Sequence, residues 1–472
     1  MMKSFLIFII YGLSFIFVSC EQLVKVDPPV TSTNSENLFQ YDPVVISAVT
    51  GIYASMSSAG FSTATDIRAL NVCASLYVDE LSLFPSPNIP VVYQDFYNNA
   101  LSGQTNGTGG NFWNGLYRIV FSCNSIIKGL SGSNGISATV SKQLMGEVLF
   151  TRALCYYYLV NLYGDVAWID GIDYTVNSIA RRSDKADVLK HIASDLIQAR
   201  DLLSPVFLDA TLLKPASSGR FRPTSNAASA LLTKVLLLQE NWIEAEAEAS
   251  RVIDNSQLFA LDSLNAVFLT SSKEAIWQLQ IVVSNAATEE GNKFILPATG
   301  ASESFPFFVS KRLLDAFEKN DRRRQLWIGT SGAYSYPYKY KIANATGVPT
   351  EALTIFRLSD IYLNRAEARA QSNKPELAME DVNKVRSRAW LPKLAGLDKN
   401  RLLDTILHER QVEMFTEFGN RFIDLKRFKK IDQIMPAVSK EKGTTWKPYF
   451  VLFPLSMAEL QANPNLVQTP GY

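Results

Sequence analysis

Histidine is nearly missing from this chain: among 472 residues only His191 and His408 carry an imidazole. A multi-histidine metal site is therefore excluded, and a histidine-based nucleophilic relay has few ways to be assembled. Cysteine is scarce too. Of the four, Cys73, Cys123 and Cys155 leave at most one disulfide once Cys20 is set aside, so neither a disulfide framework nor a metal-ligand spacing is present. Cys155, in "TRALCYYYLVNLYG", falls in a helical apolar pattern and reads as a small buried hydrophobe. An excess of charge of either sign is absent: 46 Lys and Arg face 45 Asp and Glu, a net +1, so no field draws nucleic acid. Gly-rich phosphate loops, dinucleotide fingerprints and HExxH are missing as well, and neither a cofactor nor a metal is expected.

What the chain does have begins at its N-terminus. Lys3 precedes an apolar run, Phe5 to Val18, which is too short to span a bilayer and ends at Ser19 and Cys20. The stretch "FVSC" resembles a bacterial lipobox, with Phe17 in place of the usual leucine, so residues 1–19 read as a lipoprotein signal peptide and Cys20 as the lipid attachment site. Several acyl chains anchor stably, because each buried CH₂ contributes about 0.8 kcal/mol. Residues 20–42, with Pro28-Pro29, read as a lipidated tether to a membrane surface.

Helical periodicity then dominates. Residues 43–58, 111–130, 140–163 and 184–204 read as helices, the last with Asp184 as its N-cap. Trp113 lies on an apolar face and reads as core, whereas "YYY" at 156–158 points in three directions and predicts at least one exposed ring. The segments "SNAASALLTKVLLLQENWIEAEAEASRVID" and "SDIYLNRAEARAQSNKPELAMEDVNKVRSRA" each read as helix, tight turn, helix, with Ala245 and Ala378 in matching places. Such pairs resemble tetratricopeptide repeats. The expected fold is mostly α: helical pairs forming a scaffold with long loops and a small irregular or β insertion. The divisions are 43–254, a helical region with a ligand loop; 255–345, a loop-rich insertion with a short strand in "EAIWQLQIV"; and 346–472, a helical region ending in a wrapping tail.

Two stretches invite a functional reading. From Leu83 to Asn111 prolines at 85, 87 and 90 and several rings suggest a long functional loop, and "GTSGAYSYPYKYK" suggests another. Phe84, Tyr93, Tyr97 and Asn98 are the first candidates for ligand contact, with Tyr334 and Tyr336 as a second cluster, because flat rings stack on sugar faces while amides bond hydroxyls. The segment "HERQVEMFTEFGNRFIDLKRF" is rich in acids. Glu409, Glu413 and Glu417 follow one another at i+4 on a helix that Gly419 breaks, and Arg421, Asp424 and Arg427 follow at i+3. A glycosidase needs two carboxylates about 5–10 Å apart across one cleft. Here Arg410 and the other cations accompany every acid, and an ion-pair network is expected instead.

Several segments together resemble the SusD/RagB family of outer-membrane nutrient-binding lipoproteins of the Bacteroidetes. They are Cys20 after the signal run, "TRALCYYYLVNLYGDVAWI", "GRFRPTSNAASALLTKVLLL", "FRLSDIYLNRAEA", "ERQVEMFTEFGNRFIDLKRF" and "NPNLVQTPGY". Ala167 departs from the family's usual proline after "YGDV". The resemblance implies a non-catalytic, lipid-anchored subunit of the outer membrane, facing the cell exterior. It would capture glycan, oligosaccharide or peptide and pass it to a SusC-like TonB-dependent transporter. Two other readings stand beside it: a surface glycoside hydrolase on a helical scaffold, and a scaffold that only assembles proteins.

Overall fold

The computed structural model describes residues 38–472, apart from 59, 105–106, 283–286 and 345–346. Cys20, the signal peptide and residues 20–37 of the tether lie outside the described residues.

Helices build most of the chain. The first are α1 (Asp42–Ser58), α2 (Leu70–Tyr77), α3 (Val91–Tyr97), α4 (Asn111–Gly132), α5 (Ala138–Tyr163) and α6 (Lys185–Leu202). Two hairpins of helices follow in the chain, α7 (Ser225–Leu238) with α8 (Trp242–Ile253), and α9 (Leu358–Gln371) with α10 (Pro375–Arg388). From α4 to α10 each helix packs on the next, giving a continuous helical array. The two hairpins are built alike: both first helices have 14 residues, and Glu240 and Asn373 take left-handed φ of 56° and 58° in the turns. Ala245 and Ala378 are fully buried, since only a small side chain lets paired helices approach so closely. Pro375 opens α10 where its missing N–H costs nothing.

α5 is enclosed from Glu147 to Tyr163, so Tyr156, Tyr157 and Tyr158 are 0%, 2% and 3% exposed. This corrects the expectation of an exposed ring: α4, α6 and α7 pack on this helix and α1 joins them, leaving it no solvent face. Trp113 is buried, and Cys73, Cys123 and Cys155 are buried free thiols. Asp184 stands at the N-cap of α6 without a side-chain capping bond.

Gly115 shows how tightly α4 is seated: a Cβ there would lie 1.6 Å from the Thr65 carbonyl oxygen. Gly115→Ala should cost about 1–3 kcal/mol, as overpacking against backbone does. Gly51→Ala in α1, with nothing within 4 Å, should raise the thermal midpoint measured alongside it.

Among the described residues three short antiparallel strand pairs join the helices. β1 (Leu81–Leu83) pairs with β3 (Phe307–Val309), β2 (Ala275–Leu279) with β6 (Leu353–Arg357), and β4 (Ile328–Ser331) with β5 (Tyr334–Pro337). β2 and β6 are buried along their whole length, which places Trp277 in the main core. A smaller core joins Leu264, Phe268, Val309, Leu313, Trp327 and Phe415. Two stretches read as loops are corrected here. Residues 91–97 form α3, whose N-cap position is Pro90, and "GTSGAYSYPYKYK" folds as the β4–β5 hairpin.

The chain closes with α11 (Lys399–Met414), α12 (Asn420–Arg427), α13 (Ile431–Glu441) and α14 (Met457–Ala462). α11 stops at Met414, five residues before Gly419, because Thr416 and Phe418 adopt φ of 54° and 48°. Glu417 therefore lies in the connecting turn, which corrects the single-helix reading. The final segment crosses the N-terminal helices: Phe453 N–H donates to the Leu162 carbonyl at 2.7 Å and Met457 N–H to that of Gly103 at 2.7 Å. Tyr77 sits in the middle of this closure, ringed by Phe96, Phe422, Trp446 and Phe453, with its hydroxyl donating to the Phe450 carbonyl at 2.8 Å.

Candidate aromatic binding face

The pairing of β1 with β3 brings together the two aromatic clusters that the sequence separates by more than two hundred positions. Side chains alternate along a strand, and in this register Leu81 opposes Val309 and Leu83 opposes Phe307, so that side packs inward. Ser82 and Phe308 share the other side, and Phe84, whose N–H donates to the Pro306 carbonyl at 2.8 Å, continues it. β5 packs on β3, and Tyr334 meets Phe308 edge to face with ring centroids 5.0 Å apart. Gly300, at φ 84°, leaves room for this ring, since a Cβ there would stand 3.0 Å from Tyr334 Cδ2.

Phe84, Phe308, Tyr334 and Tyr336 are all half-buried, each leaving part of its ring open. Tyr336 lies over Gly329, its cross-strand partner, where any β-carbon would fall 2.3 Å from Cζ, and meets Tyr338 at 5.8 Å. Tyr97 is half-buried, bonded to Ser82, with the Lys442 ammonium 5.1 Å above its ring. Polar groups border the rings. Ser86 Oγ and Asn88 Nδ2 donate to Glu303 Oε1 at 2.6 and 2.8 Å, and these bonds hold the Glu303 carboxyl below the usual range.

Tyr93 does not join this face. It is 8% exposed and packs edge-on to Phe307 at 4.8 Å, because α3 turns it inward, which corrects its reading as a contact residue. Asn98 ends the same helix as its C-cap, its N–H donating to the Gln94 carbonyl. Phe308, Ser86, Asn88 and Glu303 were not singled out from the sequence; the doubled ring of "FPFF" was the available signal for the first.

The acidic segment is buried among cations. Glu409 accepts from Arg323 at 2.6 Å and Arg386 at 3.1 Å; Glu413 accepts from Arg323 at 2.9 Å and also from Arg357 and Arg388. Glu417 receives Arg357 at 2.8 Å and Lys339. Arg410 joins Asp424 at 2.7 Å to Asp360 at 2.8 Å, Arg427 reaches Asp424 and Glu367, and Arg421 grips Asp79 at 2.7 Å. Burial by itself would raise the Glu413 pKa, but Arg388, Arg357 and Arg323 outweigh it and hold the carboxyl well below the usual range. Such a group accepts hydrogen bonds and has no proton to donate at neutral pH. His408 is half-buried, with Nε2 2.7 Å from the Ala316 carbonyl oxygen. Among the described residues Glu318, His408 and Glu409 gather ligand atoms within 4.8 Å of one another, but Arg386 already occupies both carboxylates.

Residues 337–472 match the family model described as the SusD family, and residues 49–237 match one described as starch-binding associating with outer membrane. SusD-like protein P25 of Formosa agariphila is 26% identical over 425 residues, covering 76% of this chain and 78% of its own. A SusD-like protein of Bacteroides ovatus is 26% identical over 361 residues, 65% of this chain and 63% of its own. Among solved structures, a SusD superfamily protein from Bacteroides vulgatus superposes with a TM-score of 0.78 at 20% identity, over 92% of this chain and 100% of that one. Surface glycan-binding protein A from Bacteroides uniformis gives 0.74 at 19% identity, over 91% and 98%. The C-terminal part of the chain is thus similar to the SusD family and its N-terminal part to the starch-binding family associating with outer membrane, and the whole shares one fold with these solved structures.

Proposed function

We propose that this protein is a non-catalytic glycan-binding subunit, anchored through Cys20 to the outer membrane and facing the cell exterior, that hands an oligosaccharide to a SusC-like TonB-dependent transporter. The observation that carries the reading is the half-open aromatic face of Phe84, Phe308 and Tyr334, bordered by Ser86, Asn88 and Glu303. Rings of this kind stack on the apolar faces of sugars while the polar border bonds hydroxyls. Residues 255–345 serve in this reading as an inserted segment that supplies half of the face. The descriptions "starch-binding associating with outer membrane" and "surface glycan-binding protein A" support the ligand class and the membrane.

Binding is favoured over hydrolysis by the state of the acids. Glu303, on the face, is kept ionised by its hydrogen bonds and so offers no general acid. The acids of the charged segment are buried beneath guanidinium groups, where no glycosidic bond reaches them.

The test incubates the purified chain with a panel of polysaccharides, following retention and new reducing ends. Retention without cleavage is expected. Phe308→Ala and Tyr334→Ala should each weaken binding by about 2 kcal/mol, about thirtyfold in Kd, as the loss of a central aromatic contact does. New reducing ends, or unchanged affinity in both variants, would overturn the reading.

A further inference from the structure

A second feature lies apart from the aromatic face. A cleft of about 920 Å³, within the range of ligand sites, is lined by residues of α6, α8, α12 and the final segment. Its charges are unequal. Arg427 is matched by Glu367 and Asp424, and Lys429 by Glu240. Arg181, Arg182, Lys185 and Lys426 remain against only Asp165 and Asp432, so cations outnumber carboxylates.

Among the described residues none of these four cations forms an ion pair. Arg182 donates instead to the carbonyls of Asp165, Tyr163 and Val467 at 2.7, 2.8 and 2.9 Å, and Lys426 to those of Asn161 and Val451. Carbonyl oxygens orient a cation without neutralising it, so the Arg182 charge is fixed in the wall of the cleft. Burial first, and the charge of Lys185 second, hold the Lys426 ammonium well below its ordinary pKa. A partly desolvated cation cluster short of counter-charge destabilises the fold unless an anion completes it. Trp242, half-buried, lines the same cleft with a flat apolar surface.

We infer that this cleft is a separate site for an acidic sugar unit, whose carboxylate or sulfate sits among Arg181, Lys185 and Lys426 while its ring lies against Trp242. That the anion is carried by a sugar rests on the glycan reading above; the demand for an oxyanion rests on the cleft itself. Carboxylate and sulfate oxygens both accept charge-assisted hydrogen bonds from guanidinium and ammonium donors, and the attraction weakens with salt.

The experiment is calorimetric titration of the purified full chain with three probes: trigalacturonic acid for the carboxylate, a κ-carrageenan oligosaccharide for the sulfate, and maltohexaose as the neutral reference. One acidic probe should bind at least tenfold more tightly than maltohexaose at low salt and lose that advantage at 0.5 M salt, and which one does so names the oxyanion. Lys185→Gln and Arg181→Gln should each weaken it about tenfold, one charge-assisted bond, while binding at the aromatic face stays unchanged. Lys185 and Arg181 make no side-chain hydrogen bond or ion pair among the described residues, so both variants are expected to fold, and Phe308→Ala should leave acidic binding intact. If maltohexaose fails to bind while an acidic probe binds and responds to Lys185→Gln, the aromatic-face reading falls and this one stands. Equal affinity for acidic and neutral probes, or affinity unmoved in both variants, overturns the inference.

Discussion

Glu413→Ala will unfold at markedly lower denaturant than the parent, by about 3–5 kcal/mol, the cost of removing one partner from a buried ionic cluster. Glu413 is fully buried and accepts from Arg323, Arg357 and Arg388 at once. Its removal leaves three guanidinium groups competing for Glu274, Glu409 and Glu417, none of which can move into the space without abandoning its own partner. Urea titration of the two proteins measures the difference directly. Lys190→Ala, which breaks the exposed pair with Asp187, serves as the contrast and should leave the midpoint in place. Because the Glu413 pKa is depressed in the folded protein, its contribution is present above the unfolded value near 4.5 and fades as the pH falls below it. Equal midpoints for Glu413→Ala and the parent at pH 7 would show that the cluster is not a source of stability.

Glu80 should behave in the opposite sense. Burial first, and the neighbouring Asp79 charge less strongly, push its pKa from 4.5 to about 7; Ser75 Oγ and the Thr416 N–H donate to Oε2, while Oε1 has no hydrogen-bond partner. The folded protein therefore holds this proton more tightly than the unfolded chain does. Between pH 4.5 and 7 the native state binds more protons, so stability falls as the pH rises, by up to about 3 kcal/mol for the full shift. Glu80→Gln keeps an acceptor for both donors and carries no charge. It should be more stable than the parent at pH 8, nearly equal at pH 5, and should flatten the decline between them. Asp66 and Glu290, raised to about 7 and about 6, keep part of the slope. Parallel stability profiles for the two proteins would mean that Glu80 is ionised in the folded state at no cost.

Local pattern carried the helices well. The turns at Glu240-Asn241 and Asn373-Lys374-Pro375 and the small residues at 245 and 378 are short-range features, and they sit where expected. What encloses an element is a different matter. The periodicity of "YYY" gives three directions, but α5 meets a neighbour in each, which only the assembled array decides. Around Tyr93, prolines at 85, 87 and 90 suggest loop, although a proline just before a first turn is compatible with a helix. No local pattern marks Phe308, because β3 is three residues long and gains its direction from pairing with β1, far away in sequence. The acids of the charged segment were legible as paired, whereas the partners Arg323, Arg357 and Arg388 come from positions that no spacing rule connects.

The Tyr77 hydroxyl bonds a carbonyl 373 residues later, and that distance sets a timetable. Four of the rings and backbone groups that close around Tyr77 belong to residues 422–453, so the N-terminal helices leave the ribosome with this aromatic cluster unfinished. Contacts of such long range fold slowly, because the chain entropy between them is lost before the contact forms. The closure around Tyr77 therefore waits for one of the last segments of the chain.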